Sequence, residues 1–214
     1  MPTPKSFAAA LVLVGVSLPW EAMAARYAIQ AGFDNYGVQI GGTSSTLPGG
    51  FAHIHERFGH VDLGQRLFAG RGASISGSLV AGSVDAGYRV HPGRGLFVKP
   101  EIGVGAVNVD PQGAYIRATY AYAGGKISYH LFRAIDLIAR GAFGRDFHTA
   151  VTGVPTTLGG LYTSGSIGAA VRIGRGWATF GYEYQHMPFG GGGQGRSDLV
   201  FAASQFRAGY RLSF

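Results

Sequence analysis

The last ten residues put apolar and polar side chains on opposite faces with a period of two. Phe206, Ala208, Tyr210, Leu212 and Phe214 fall on one face, and Gln205, Arg207, Gly209, Arg211 and Ser213 on the other. Period two belongs to an extended strand, not to a helix. The same alternation sets Val80, Val84, Ala86, Tyr88 and Val90 against Ser83, Asp85, Gly87 and Arg89. It sets Leu96, Val98, Ile102 and Val104 against Lys99, Glu101, Gly103 and Gly105. Ile167, Ala169, Val171 and Ile173 alternate with Ser166, Gly168 and Arg172, and Phe180, Tyr182 and Tyr184 with Thr179, Gly181, Glu183 and Gln185. The chain is all-β.

Breaks between these runs alternate in character. His91-Pro92-Gly93-Arg94-Gly95, Phe132-Arg133-Ala134 and Gly174-Arg175-Gly176 suit tight hairpins. Asp110-Pro111-Gln112-Gly113, residues 148–160 and the glycine-rich stretch 188–198 are looser. This pattern predicts eight strands, near 27–42, 74–90, 96–109, 114–131, 135–147, 161–174, 177–187 and 199–214. It leaves 43–73 as one long loop, an uncomfortable length in a compact domain. The apolar phase flips at Asp34-Asn35. If that pair is a turn, 27–33, 36–43 and 51–69 become three strands and the count is ten.

The predicted strands run well past the ~5–6 residues usual in globular sheets, and tyrosines sit near their ends, as an interfacial girdle would place them. Both features favour an antiparallel up-and-down transmembrane β-barrel, with its apolar face toward lipid, over a soluble sandwich. Charged residues make up only 14% of the 214, and no window after residue 20 holds the ~20 apolar residues a membrane helix needs. Lys5, the apolar run 7–18 and Ala22-Met23-Ala24 read as a secretory signal peptide over 1–24, with the barrel occupying 25–214. Cleavage removes Lys5 and Glu21 together and leaves the net charge at +7. The absence of cysteine excludes disulfides, thiolate metal sites and cysteine nucleophiles.

The terminal run through Tyr210, Leu212 and Phe214 looks like the C-terminal strand of bacterial outer-membrane proteins. With the signal peptide and hairpins, the mature chain resembles small outer-membrane barrels of the OmpA/OmpX/YfaZ type. The resemblance implies the outer membrane of a Gram-negative cell and recognition of Tyr210, Leu212 and Phe214 by the barrel-assembly machinery. It also implies lipid and lipopolysaccharide as surroundings.

Charged residues in the strands' polar phase form an expected lumen network: Asp85, Arg89, Lys99, Glu101, Arg117, Asp136, Arg140, Arg172, Glu183, Arg207 and Arg211. A narrow barrel is filled by its own side chains, so salt bridging is the first reading and an ion-selective pore the second. His53, His55 and His60, near Glu56, are weak metal candidates. The stretch is not the zinc-protease motif, because His55 and His60 stand five apart rather than four. His186 with Ser197 and Asp198 would be the residues of a lipid A deacylase, but the His-x-Ser core of that family is missing: Met187-Pro188 follows. Gly190–Gly193 lacks the Lys-Ser/Thr of a phosphate loop. The basic residues are dispersed, which argues against nucleic acid, and Arg145 or Arg196 suit lipopolysaccharide phosphate. The sequence therefore predicts a monomeric, porin-like but non-enzymatic envelope barrel without cofactor. A structural or surface-interaction role through external loops comes first, with a narrow solute channel as the alternative.

Overall fold

A computed structural model describes residues 26–40, 43–72, 77–111, 115–132, 134–151, 154–157, 160–189 and 199–214. The expected signal peptide lies outside these. Ten long strands form the wall. They are β1 (Arg26–Ile40), β2 (Thr43–Phe58), β3 (Val61–Arg71), β4 (Gly77–Tyr88), β6 (Leu96–Pro111), β7 (Ile116–Leu131), β8 (Ile135–Val151), β10 (Leu161–Ile173), β11 (Gly176–Phe189) and β12 (Leu199–Ser213). Two short strands, β5 (Val90–Gly93) and β9 (Val154–Thr157), extend the hairpins beside β6 and β8. Each long strand pairs antiparallel with the next, and β12 pairs back onto β1, so the sheet closes with no free edge. Closure satisfies the backbone within the wall, the condition for crossing hydrocarbon without helices.

The wall has ten strands, not the eight expected. The difference lies in 43–73, which forms β2 and β3 rather than a loop. Their hairpin is a two-residue turn, Gly59-His60, between the paired Phe58 and Val61. Gly59 has φ 61, a left-handed value that costs glycine nothing, in the first turn position. Gly174, with φ 60, opens the same kind of turn between Ile173 and Gly176. Nor does Asp34-Asn35 turn the chain: β1 runs unbroken through both, in continuous register with β2 and β12.

The phase flip has another cause. Over most of the wall the outward side chains are apolar, and many are widely exposed: Ile102 and Ile167 are 67% accessible and Phe206 65%. A continuous apolar belt of this kind belongs in lipid and excludes the sandwich. Toward the end of the barrel that carries the longer connections, polarity inverts on β1, β2, β4, β6, β7, β11 and β12. Tyr36, Val38, Leu47, Leu79, Val107, Val109, Ile116, Met187 and Phe201 now point inward and are buried. Gln39, Ser44, Thr46, Ser78, Asp110 and Arg145 are exposed on the outside. A 15-residue strand such as β1, at ~3.3 Å per residue and tilted ~40°, stands about 38 Å tall. The apolar band of such barrels is only ~25 Å tall. The barrel therefore continues past the lipid as a water-facing cylinder with its own core.

Candidate functional site: a layered lumen

At the end with the long connections, the interior is packed with rings. Tyr120 and Tyr162 stack with centroids 4.3 Å apart, Tyr122 lies 5.9 Å from Tyr162, and Tyr36 sits 4.8 Å from Phe68. The rings fit because β6 presents glycines to them. A Cβ on Gly103 would come within 2.5 Å of the Tyr122 ring, and one on Gly105 within 2.5 Å of the Tyr120 ring. Aliphatic side chains from β1, β2, β4, β6, β7, β11 and β12 close the space around this plug.

Below the rings lies a layer of charge. Glu101, from β6, accepts from Arg140 on β8 and pairs with Lys99 at 3.0 Å. Lys99 also reaches Asp85 at 3.2 Å, and Arg66 approaches Asp85 and Glu183 at 3.9 and 4.0 Å. Arg207 pairs with Asp34 at 3.2 Å and with Glu183 at 3.7 Å, while its guanidinium lies over the Phe51 ring at 4.8 Å. Arg140 donates to the Tyr122 hydroxyl at 3.2 Å and stacks over that ring, which ties the charged layer to the aromatic one. Tyr36 donates to Gln185, which donates to Glu183. Buried charges persist only when paired in this way. The free space inside is small, about 50 Å³ beside the rings and about 110 Å³ next to Gln30 and His53.

At the end with the tight turns the lumen widens into a chamber of about 600 Å³. Arg89 donates two hydrogen bonds to Asp62, at 2.8 and 3.2 Å, and Arg211 lies 3.5 Å from Asp136. His130 donates through Nδ1 to Asp136 at 2.5 Å. Among the described residues no hydroxyl hydrogen-bonds to its other ring nitrogen.

Among the expected network residues, Asp85, Arg89, Lys99, Glu101, Arg140, Glu183, Arg207 and Arg211 all face the interior with the partners given above. Arg172 is on the lumen side but exposed near the tight turns, without an ion pair among the described residues. Arg117 is a correction. It stands between the inward Ile116 and Ala118 and so lies on the outer face, in the zone of inverted polarity. Asp34, Asp62, Arg66 and Lys126 belong to the interior and were not expected. Asp62 and Arg66 lie in the stretch expected as a loop, and Asp34 at the change of apolar phase. Lys126 was legible, since it shares the phase of Tyr120 and Tyr122.

His53 and His55 both face the lumen, with ring centroids 3.7 Å apart. Arg66, Lys126 and Arg207 share their cavity, a cationic setting that opposes a metal ion. His60 is elsewhere, in the β2–β3 turn, where Nδ1 donates to the Arg89 carbonyl. No group of three or more His, Asp or Glu among the described residues is placed to hold a metal. His186 points outward on β11, while Ser197 and Asp198 lie outside the described residues.

The closed ten-strand wall and its apolar belt match known architecture. The outer-membrane protease OmpT from Escherichia coli superposes with a TM-score of 0.57 at 9% identity, covering 91% of this chain and 99% of that one. The fold is that of a bacterial outer-membrane β-barrel. Weaker likenesses are Neisserial surface protein A (TM-score 0.45, 13% identity, 89% of this chain and 99% of that one) and Ail of Yersinia pestis (TM-score 0.33, 11% identity, 89% and 100%). No protein-family model matches the sequence, and no curated protein matches it. In this barrel the described interior is packed with rings toward one end and widens into a charged chamber toward the other.

Proposed function

We propose that the protein is a non-conducting barrel of the outer membrane, with a structural or surface-interaction role carried by the elements at the long-connection end. The observation that carries this reading is the filled interior. A layer of stacked tyrosines lies directly on a layer of paired charges, and neither leaves room for a hydrated solute. A conduit of the size ten strands permit would need an open polar lumen; here the ring and charge layers leave only cavities of about 50 and about 110 Å³. The tight turns at 59–60, 94–95 and 174–175 then face the periplasm, and the extended, polar-surfaced end faces outward, the usual disposition of such barrels. Arg71, Arg117 and Arg145, on the outside of that end, are positioned for lipopolysaccharide phosphates. The solute-channel reading has no such observation in its favour.

The test is deletion of the gene followed by complementation. Loss of the barrel should sensitise cells to detergents and bulky apolar compounds while leaving small-solute uptake unchanged. A copy lacking residues 191–197 should restore the barrier but lose any surface interaction. Slower uptake of small solutes in the deletion strain would contradict the proposal.

A further inference from the structure

The chamber among the tight turns takes no part in the proposal above, and its wall is unbalanced. Six bases line it (Arg26, Arg57, Arg89, Lys99, Lys126 and Arg211) against two acids, Asp62 and Asp136. The imbalance is built into the register. Arg26 and Arg57 are direct cross-strand partners on β1 and β2, both on the lumen face. Lys99, Lys126 and Arg140 are consecutive partners across β6, β7 and β8. Like charges set directly opposite one another destabilise a sheet.

The neighbouring carboxylates do not relieve these rungs. Asp62 stands across from Arg57 on the β2–β3 ladder but gives its carboxylate to Arg89. Asp85 and Glu101 neutralise Lys99 and Arg140, leaving Lys126 without an ion pair among the described residues. Arg26 and Arg57 are likewise without one. Nε of Arg211 is buried with no hydrogen-bond partner. Fixed donors in excess of acceptors, inside a low-dielectric wall, focus a positive potential on the chamber. A volume of about 600 Å³ falls in the ~300–1,000 Å³ range of small-molecule sites.

We propose that this chamber is an anion site that takes a phosphate group, held between the Arg26–Arg57 rung, Lys126 and Arg211. Guanidinium groups bind phosphate oxygens through paired, charge-assisted hydrogen bonds, and an ammonium adds a point charge. A dianion seated there would convert two repulsive rungs into bridged ones.

The test uses the full barrel, refolded in a zwitterionic detergent and titrated calorimetrically with pyrophosphate at constant ionic strength. A single saturable site is expected. Arg57→Gln combined with Lys126→Gln should weaken it by about tenfold or more, the scale of lost charge-assisted bonds. Arg175→Gln, exposed in the β10–β11 turn and outside the chamber lining, should leave it unchanged. Arg26→Gln, exposed at the chamber mouth, gives a second variant with little risk to folding, and a heat-dependent gel shift verifies each barrel. Displacement of pyrophosphate by phosphatidylglycerol in mixed micelles would identify a lipid headgroup as the source of the phosphate, and no displacement a soluble one; either keeps the site. Absence of saturable binding, or equal weakening by Arg175→Gln, would overturn it.

Discussion

Glu101 holds the two closest ion pairs of the charged layer. Its side chain is fully buried and holds both Lys99 and Arg140. Glu101→Gln keeps the shape but leaves Lys99 to Asp85 and Arg140 to a longer pair with Glu183 at 4.0 Å, and removing one partner of a buried pair typically costs about 3–5 kcal/mol. Chemical unfolding in detergent should show that loss, whereas Arg172→Gln, exposed near the tight turns, should stay within about 0.5 kcal/mol of wild type. Steric fit makes the matching prediction at Gly105. Valine there would drive Cβ into the Tyr120 ring, an overpacking that costs about 1–3 kcal/mol, again read as a lower unfolding midpoint. Much of this was legible from alternation alone: Asp85, Lys99, Glu101 and Glu183 share the phase opposite the apolar face. Arg117 was misassigned because charge was equated with the inside, a rule that holds only at the depth of the lipid.

At the level of the strand, the error lay in 43–73, expected as a loop. The sequence of β1 changes apolar phase at Asp34-Asn35, which left open a turn as the route to ten strands, yet the strand runs unbroken and the surroundings change instead. Outside the lipid, water takes the outer face and the core moves inward, so Tyr36 and Val38 occupy the phase of Gln30 and Asp34. The β2–β3 hairpin was readable in principle. Gly59-His60 has the glycine-first form of Gly174-Arg175, but Pro48, Gly49 and Gly50 inside β2 disguised the strand before it. Inversion is testable because the chain contains no cysteine, so single cysteines report without background. Ile102→Cys and Asp110→Cys lie on the same outer phase of β6. A membrane-impermeant maleimide should label Asp110→Cys readily and leave Ile102→Cys unmodified until the bilayer is dissolved. Equal protection of both would move the lipid boundary up to the end of the strand and remove the water-facing core from the account.

For the whole molecule, the wall and the interior answer different questions. The wall, through closure and its apolar belt, states where the protein belongs, and the terminal strand alone carried much of that in its alternation. The interior decides whether anything passes, and its aromatic layer was not anticipated, because tyrosines were assigned wholesale to the interfacial girdle. Tyr88, Tyr129 and Tyr210 do stand on the outside, but Tyr36, Tyr120, Tyr122 and Tyr162 fill the bore. A sealed bore is the central claim, and planar-bilayer recording of the purified, heat-modifiable barrel tests it most directly. Membranes carrying the protein should remain electrically silent across ±100 mV in molar salt, with no more current than bilayers exposed to detergent alone. Stable, stepwise single-channel currents would contradict the claim and establish an open path through the layered lumen.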